Sequence, residues 1–213
     1  MSHFYLPGPW PKPGQDFTDE VVLDAKLAHH LRVRRYQLNE TFKVFDGQGL
    51  SANACLTVMD KKSAAVRLSE IQENLRSETK VPITLAQGIA GGDKMDWIVE
   101  KAVETGVQII APLQCERSVI KLTRANDQER ASKRLTHWRG IIQAACEQCD
   151  RTIFTKLDPI QTFEAFIKTE PKPKLKLLLS PDARQSLYTV LLKNEPQDIV
   201  LMIGPEGGHT PEE

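Results

Sequence analysis

Beyond residue 80, short aliphatic and β-branched runs alternate with segments of helical periodicity, and that alternation is the strongest constraint on the fold. Strands separated by helices pair in parallel, because the helix carries the chain back along the sheet before the next strand begins. Strands are expected over residues 81–88, 107–113, 152–157, 174–180 and 198–203. Met95, Ile98, Val99, Ala102 and Val103 recur at spacings of three and four, which predicts an amphipathic helix ending at Gly106. A longer helix is expected over 126–150, with Ala131, Leu135, Trp138, Ile142, Ala145 and Cys149 along one stripe. Shorter helices are expected near 162–168 and 184–193. The fold class is therefore α/β, a mainly parallel sheet with helices on its faces.

The first 74 residues follow another rule. Residues 1–16 carry Pro7, Pro9, Pro11 and Pro13 with Gly8 and Gly14, and read as an extended arm. A short helix over 24–35 sets Leu23, Leu27, His30 and Leu31 on one face. Strands are expected over 41–45, 50–58 and 65–71, the second alternating apolar with mostly polar residues, with turns at 46–49 and 60–63. Short strands joined by tight turns imply a small β-barrel. The polar stretch 72–80 reads as a linker, so two domains are expected, 1–74 and 75–213.

Composition narrows the function classes. No apolar run nears the roughly 18 residues that cross a bilayer, and no basic-then-apolar leader opens the chain. A cytoplasmic location without membrane attachment is expected. Cys146 and Cys149 have CxxC spacing but lack a second pair or an HxxxH partner. They read as small packing residues inside a helix, and no metal is expected. The net charge is zero, yet five Lys/Arg against Glu40 alone over 26–43 leave +4. Seven against Asp127 and Glu129 over 117–139 leave +5. Together the two segments fit contact with phosphates; either alone reads as a solvated surface.

The last strand runs into Gly204-Pro-Glu-Gly-Gly208, followed by His209 and a helix-start signal. Thr210 suits the N-cap, Pro211 the first helical position, and Glu213 completes a capping box. Strand, glycine loop and helix start together make a rest for a small polar ligand on backbone amides. The same residues also make good turn chemistry, with Pro at the second position. The chain stops where the helix should begin, so the native protein is expected to continue past Glu213.

GxGxxG after the first α/β strand, the P-loop, GxSxG and HExxH are all absent. The polar candidates sit at strand and helix ends: Glu116 and Arg117, then Glu147, Gln148 and Arg151, then the Gly204–Gly208 loop. With these residues in place, the chain resembles the bacterial 16S ribosomal RNA uracil-N3 methyltransferases, the RsmE family of the SPOUT class. The resemblance rests on HHLRVRR at 29–35, FDG at 45–47, and GDKMDW at 92–97 through Lys101, Glu104 and Gly106. It continues with ERS at 116–118, ACEQ at 145–148 with Arg151, and IGPEGG at 203–208. Each motif is weak alone, while their order and spacing over nearly the whole chain are specific.

The resemblance implies an N-terminal PUA-like β-barrel for RNA binding and a C-terminal SPOUT domain with a trefoil knot. It implies S-adenosyl-L-methionine (SAM) as cofactor, held by Leu178, Leu179 and Ser180 and by Ile203, Gly204, Glu206, Gly207 and Gly208. A third SAM segment, LGxRILRxETA-like, would lie beyond Glu213, and a chain ending there is expected to bind SAM poorly and turn over little. The implied substrate is 16S ribosomal RNA of the small ribosomal subunit, and the implied assembly is a homodimer. Arg117 and Arg151 are expected on the substrate side, oriented by Glu147 and Gln148; an ordinary i, i+4 pair is the other reading of Glu147 and Arg151. Arg32, Arg35 and Lys94 are the expected RNA contacts. Arg34, Thr105 and Gly91 depart from the family pattern, Gly91 costing one phosphate contact. The competing readings are a non-catalytic RNA-binding adaptor and a SPOUT methyltransferase acting on tRNA.

Overall fold

The computed structural model describes residues 3–15, 19–61, 63–119, 121, 127–169, 175–194 and 197–213. Parts of several expectations lie outside these residues: the ends of the arm at 1–2 and 16, one residue of the 60–63 turn, the helix start at Asn126, Arg124 of the second basic segment, and the strand start at Lys174. The chain forms two units, residues 1–78 with 146–154, and residues 79–145 with 155–213.

The first unit holds β1 (His3–Tyr5), β2 (Glu20–Val22), α1 (Ala25–Val33), β3 (Thr41–Phe45), β4 (Leu50–Met59) and β5 (Ala64–Glu73). They form one sheet in the order β1-β3-β4-β5-β2, antiparallel except for the β1–β3 pair. Asp24 caps α1, its carboxylate accepting the Leu27 amide at 2.7 Å. Leu27 and Leu31 then reach a core of Phe4, Phe42, Val44, Leu56 and Val66. Asp46 closes the β3–β4 turn by accepting the Gln48 and Leu50 amides at 2.7 and 2.9 Å.

The N-terminal arm is a correction. His3, Phe4 and Tyr5 enter the sheet, and Phe4 and Leu6 are buried. Three aromatic residues bury enough surface to offset the ordering of a short strand, and a run of three is too brief to show a period. The two units divide between Glu78 and Thr79, inside the expected linker, but the start of that stretch is structured. β5 extends to Glu73, and the carbonyl of Asn74 accepts the Thr152 hydroxyl. Gly47 and Gly49 pair with Phe154 and Thr152, so residues 152–154 belong with this unit instead of forming the expected strand.

The second unit holds β6 (Ile83–Gly88), α2 (Lys94–Glu104), β7 (Ile109–Gln114), α3 (Gln128–Cys149, its last turn grouped with the first unit) and β8 (Lys156–Leu157). β9 (Gln161–Thr162), α4 (Phe163–Thr169), β10 (Leu175–Leu179), α5 (Leu187–Lys193) and β11 (Ile199–Ile203) follow. The sheet runs β10-β11-β6-β7-β8, all pairs parallel, with β9 also on β7. α2 buries Met95, Val99, Ala102 and Val103, the stripe read from its periodicity. Trp138 of α3 is fully buried, and its indole N–H donates to Asp96 of α2 at 3.0 Å. The other Asp96 oxygen lies 2.6 Å from His137. No helix among the described residues is long and apolar enough to cross a membrane.

Candidate functional site

β10 and β11 end side by side, with Leu179 opposite Ile203, and β6 pairs the other edge of β11 with Gln87 opposite Ile203. The sequence motif after β11 therefore emerges among three parallel strand ends, where α/β sheets collect ligands. A turn follows at once: the Gly208 amide donates to the Pro205 carbonyl at 2.8 Å, and Gly208 takes φ +68, where a side chain would be strained. Pro205 is thus the first residue of the turn, not the second. Beneath it, a Cβ on Gly88 would stand 2.5 Å from the Pro205 nitrogen, so the loop seats on a bare backbone. Gln87 donates its side-chain amide to the carbonyls of Gly88 and Gly204 at 2.8 and 3.3 Å.

Glu206 turns back over α2. One carboxylate oxygen accepts the Gly91 amide and the Lys94 ammonium, each at 3.0 Å. Its own backbone amide, then Lys94, then the Gly91 amide favour the charged form and hold its pKa at about 2. So weak a base is a poor proton acceptor near neutrality; Glu206 orients its neighbours. Lys94, expected on RNA, meets Glu206 at the glycine turn, and Gly91, which departs from the family pattern, contributes its amide there.

Arg117 follows β7 and is exposed. One amino nitrogen donates to the carbonyls of Gly207 and His209 at 3.0 and 3.1 Å, which pins the loop from its far side. The rest of its guanidinium takes no further partner among the described residues. A cavity of 510 Å³ borders the same loop, lined by Leu85, Trp97, Ile98, Leu201, Ile203, Gly204, Pro205 and Glu206 among others. That volume is within the range of small-ligand sites, and the walls are mostly apolar. Leu178 and Leu179 at the neighbouring strand end are 51% and 37% exposed, which leaves apolar surface on offer there.

After the loop, Thr210 and Glu213 make the capping box read from the sequence. The Thr210 amide donates to the Glu213 carboxylate at 3.2 Å, and the Glu213 amide to the Thr210 hydroxyl at 3.3 Å.

The other expected residues lie in the first unit. Arg151 is 1% exposed and binds the Glu78 carboxylate with two nitrogens, at 2.6 and 3.2 Å. Glu78 is thus a partner of Arg151 that neither expectation for this residue named. Glu147 accepts the Tyr5 amide at 3.3 Å. Arg32 donates to the Asp60 carbonyl at 2.8 Å, and Arg35 is exposed at φ +60. Arg34 is exposed and lies over the Phe4 ring at 5.7 Å. Glu78, Asp96 and His209 were missed, because their partners stand far off in sequence and no local pattern marks them.

Family models match both parts of the chain: an RNA methyltransferase domain over residues 77–213 and an RNA methyltransferase PUA domain over 23–69. The chain is 30% identical over 205 residues to a ribosomal RNA small subunit methyltransferase E from Synechocystis, covering 94% of this chain and 64% of that one. It is 26% identical over 195 residues to the Bacillus subtilis protein of the same name, covering 89% and 74%. Among solved structures, a ribosomal RNA small subunit methyltransferase E from Neisseria gonorrhoeae bound to S-adenosyl methionine matches with TM-score 0.83 and 33% identity, over 100% of this chain and 83% of that one. A Legionella pneumophila structure in complex with the cofactor SAM matches with TM-score 0.85 and 32% identity, over the same shares. With both family models matched and relatives of this name along nearly the whole chain, the chain belongs to the ribosomal RNA small subunit methyltransferase E (RsmE) family of RNA methyltransferases.

Proposed function

We propose that the chain is a SAM-dependent methyltransferase that methylates uracil N3 in 16S ribosomal RNA. The observation that carries this reading is the convergence of the β10 end, the β11 end and Arg117 on one glycine turn. The names of the relatives and the SAM held by the gonococcal and Legionella structures support it.

SAM supplies an electrophilic methyl group. The 510 Å³ apolar cavity against Gly204–Glu206 suits its adenosyl part. Leu178, Leu179, Ser180, Ile203, Gly204, Glu206, Gly207 and Gly208 are the residues assigned to hold it. Uracil N3 attacks only after losing its proton, and the ring carbonyls then gain negative charge. The part of the Arg117 guanidinium not bound to Gly207 and His209 is assigned to those carbonyls, where a fixed cation stabilises developing charge. Arg151 and Glu147 are reassigned as supports: Arg151 neutralises Glu78, and Glu147 holds the first strand through Tyr5.

Residues 1–74 form the PUA-like RNA-binding domain in this reading, with Arg32 and Arg35 on the RNA. The strand-end loops form a trefoil knot, the active species is a homodimer, and the enzyme works in the cytoplasm, where ribosomal subunits are modified.

The test is transfer of tritium from labelled SAM to 16S ribosomal RNA or the small subunit by the native protein. Arg117→Ala should lower turnover by about 100-fold or more with the circular dichroism spectrum unchanged. Full turnover by that variant overturns the role of Arg117. Transfer to tRNA alone, or RNA binding without transfer, overturns the proposed reaction.

A further inference from the structure

The thiol of Cys115, a ring nitrogen of His209 and a carboxylate oxygen of Glu213 lie within 4.8 Å of one another. Cys115 directly follows β7, and His209 and Glu213 follow the glycine turn after β11; the two strands flank β6, and the segments after them close the remaining distance. Three features set this cluster apart from a chance meeting. Both ring nitrogens of His209 are sealed from solvent with no hydrogen-bond partner among the described residues, a costly state for a polar ring. The nearest carboxylate oxygen, on Glu213, is 3.8 Å from Nδ1, beyond hydrogen-bond reach. Beside Glu213 opens a 340 Å³ cavity whose lining includes Glu116, Glu164 and Glu212, a negative approach that draws cations inward.

We propose that Cys115, His209 and Glu213 bind a divalent transition ion of zinc's class, which ties the end of β7 to the segment after the glycine turn. Thiolate, imidazole and carboxylate are the ligands such an ion takes, and three of them leave the fourth position to water. Thiolate and carboxylate together balance the two positive charges, the thiol proton leaving to solvent. Tetrahedral zinc sets its ligand atoms about 3.3–3.7 Å apart, so the cluster closes by roughly an ångström through side-chain rotation. The Glu213 oxygens already accept the Glu116 amide at 2.8 Å and the Thr210 amide at 3.2 Å, which hold the carboxylate in place for the ion. This site is separate from the SAM reading and stands or falls without it.

The experiment is a cobalt(II) titration of the reduced, chelator-treated 213-residue protein, followed by zinc displacement. The expected result is a near-ultraviolet thiolate-to-cobalt absorption saturating at about one equivalent and abolished by one equivalent of zinc. Cys115→Ser should remove the band, His209→Phe should weaken binding at least about tenfold, and Cys149→Ser should leave both unchanged. His209→Phe keeps the ring volume and so decides the matter even where Cys115→Ser misfolds. No band, a band that survives Cys115→Ser, or cobalt affinity unaltered by His209→Phe overturns the site.

Discussion

The Arg151 guanidinium grips the Glu78 carboxylate with two nitrogens, the shorter contact being 2.6 Å, while the arginine itself is 1% exposed. Removing one member of such a pair strands the other charge in a poor solvent. Glu78→Ala should therefore cost about 3–5 kcal/mol of stability, measured by urea denaturation. A loss under about 1 kcal/mol would contradict the supporting role assigned to Arg151.

Glu206 yields a prediction in pH. Its folded pKa of about 2 lies below the ordinary 4.5, so the charged form is favoured by folding. The associated stability is complete above about pH 4.5 and is lost as pH falls toward 2. The Glu206 carboxyl should titrate near 2 by carbon NMR. Glu206→Gln should flatten the stability profile in that window and release Lys94; a midpoint near 4.5 would refute the contact.

Gly88 marks the closest backbone approach at the site. A methyl group there meets the Pro205 nitrogen at 2.5 Å, and no side chain can move aside to relieve it. Gly88→Ala should destabilise by about 1–3 kcal/mol. Hydrogen exchange at residues 204–208 should rise more than in the rest of the sheet. Unchanged protection there would show that the loop does not seat on β6.

Asp96 joins two helices by accepting from buried Trp138 at 3.0 Å and lying 2.6 Å from His137. Asp96→Ala leaves the indole N–H without its partner in a closed core and should cost about 1–3 kcal/mol. Trp138 fluorescence should shift with the loss. Neither change occurring would mean that water replaces the carboxylate.

Much of the architecture could be read from residue pattern. β3 was located to the residue, and the stripe of α2 emerged from spacing, because burial on one face forces periodicity. The Thr210–Glu213 capping box was equally legible, since its partners are three residues apart. β1 and β9 escaped because strands of three and two residues carry no period, and their place is set by neighbours. Among site residues, Arg117 is at the glycine turn and Lys94 is too, but Lys94 meets Glu206 there. Arg151 meets Glu78, 73 positions away, a partner that no local reading could supply.

Sequence by itself determined the alternation of strands and helices, the glycine turn after the last strand and the capped segment following it, because each rests on interactions between near neighbours. The tertiary structure decided which polar groups meet: Glu206 with Lys94, Glu78 with Arg151, and Cys115 with His209 and Glu213. Parallel pairing sets β11 between β10 and β6, strands remote in sequence, so residues about a hundred positions apart meet there. Such meetings depend on strand order, which hydrophobic periodicity leaves open.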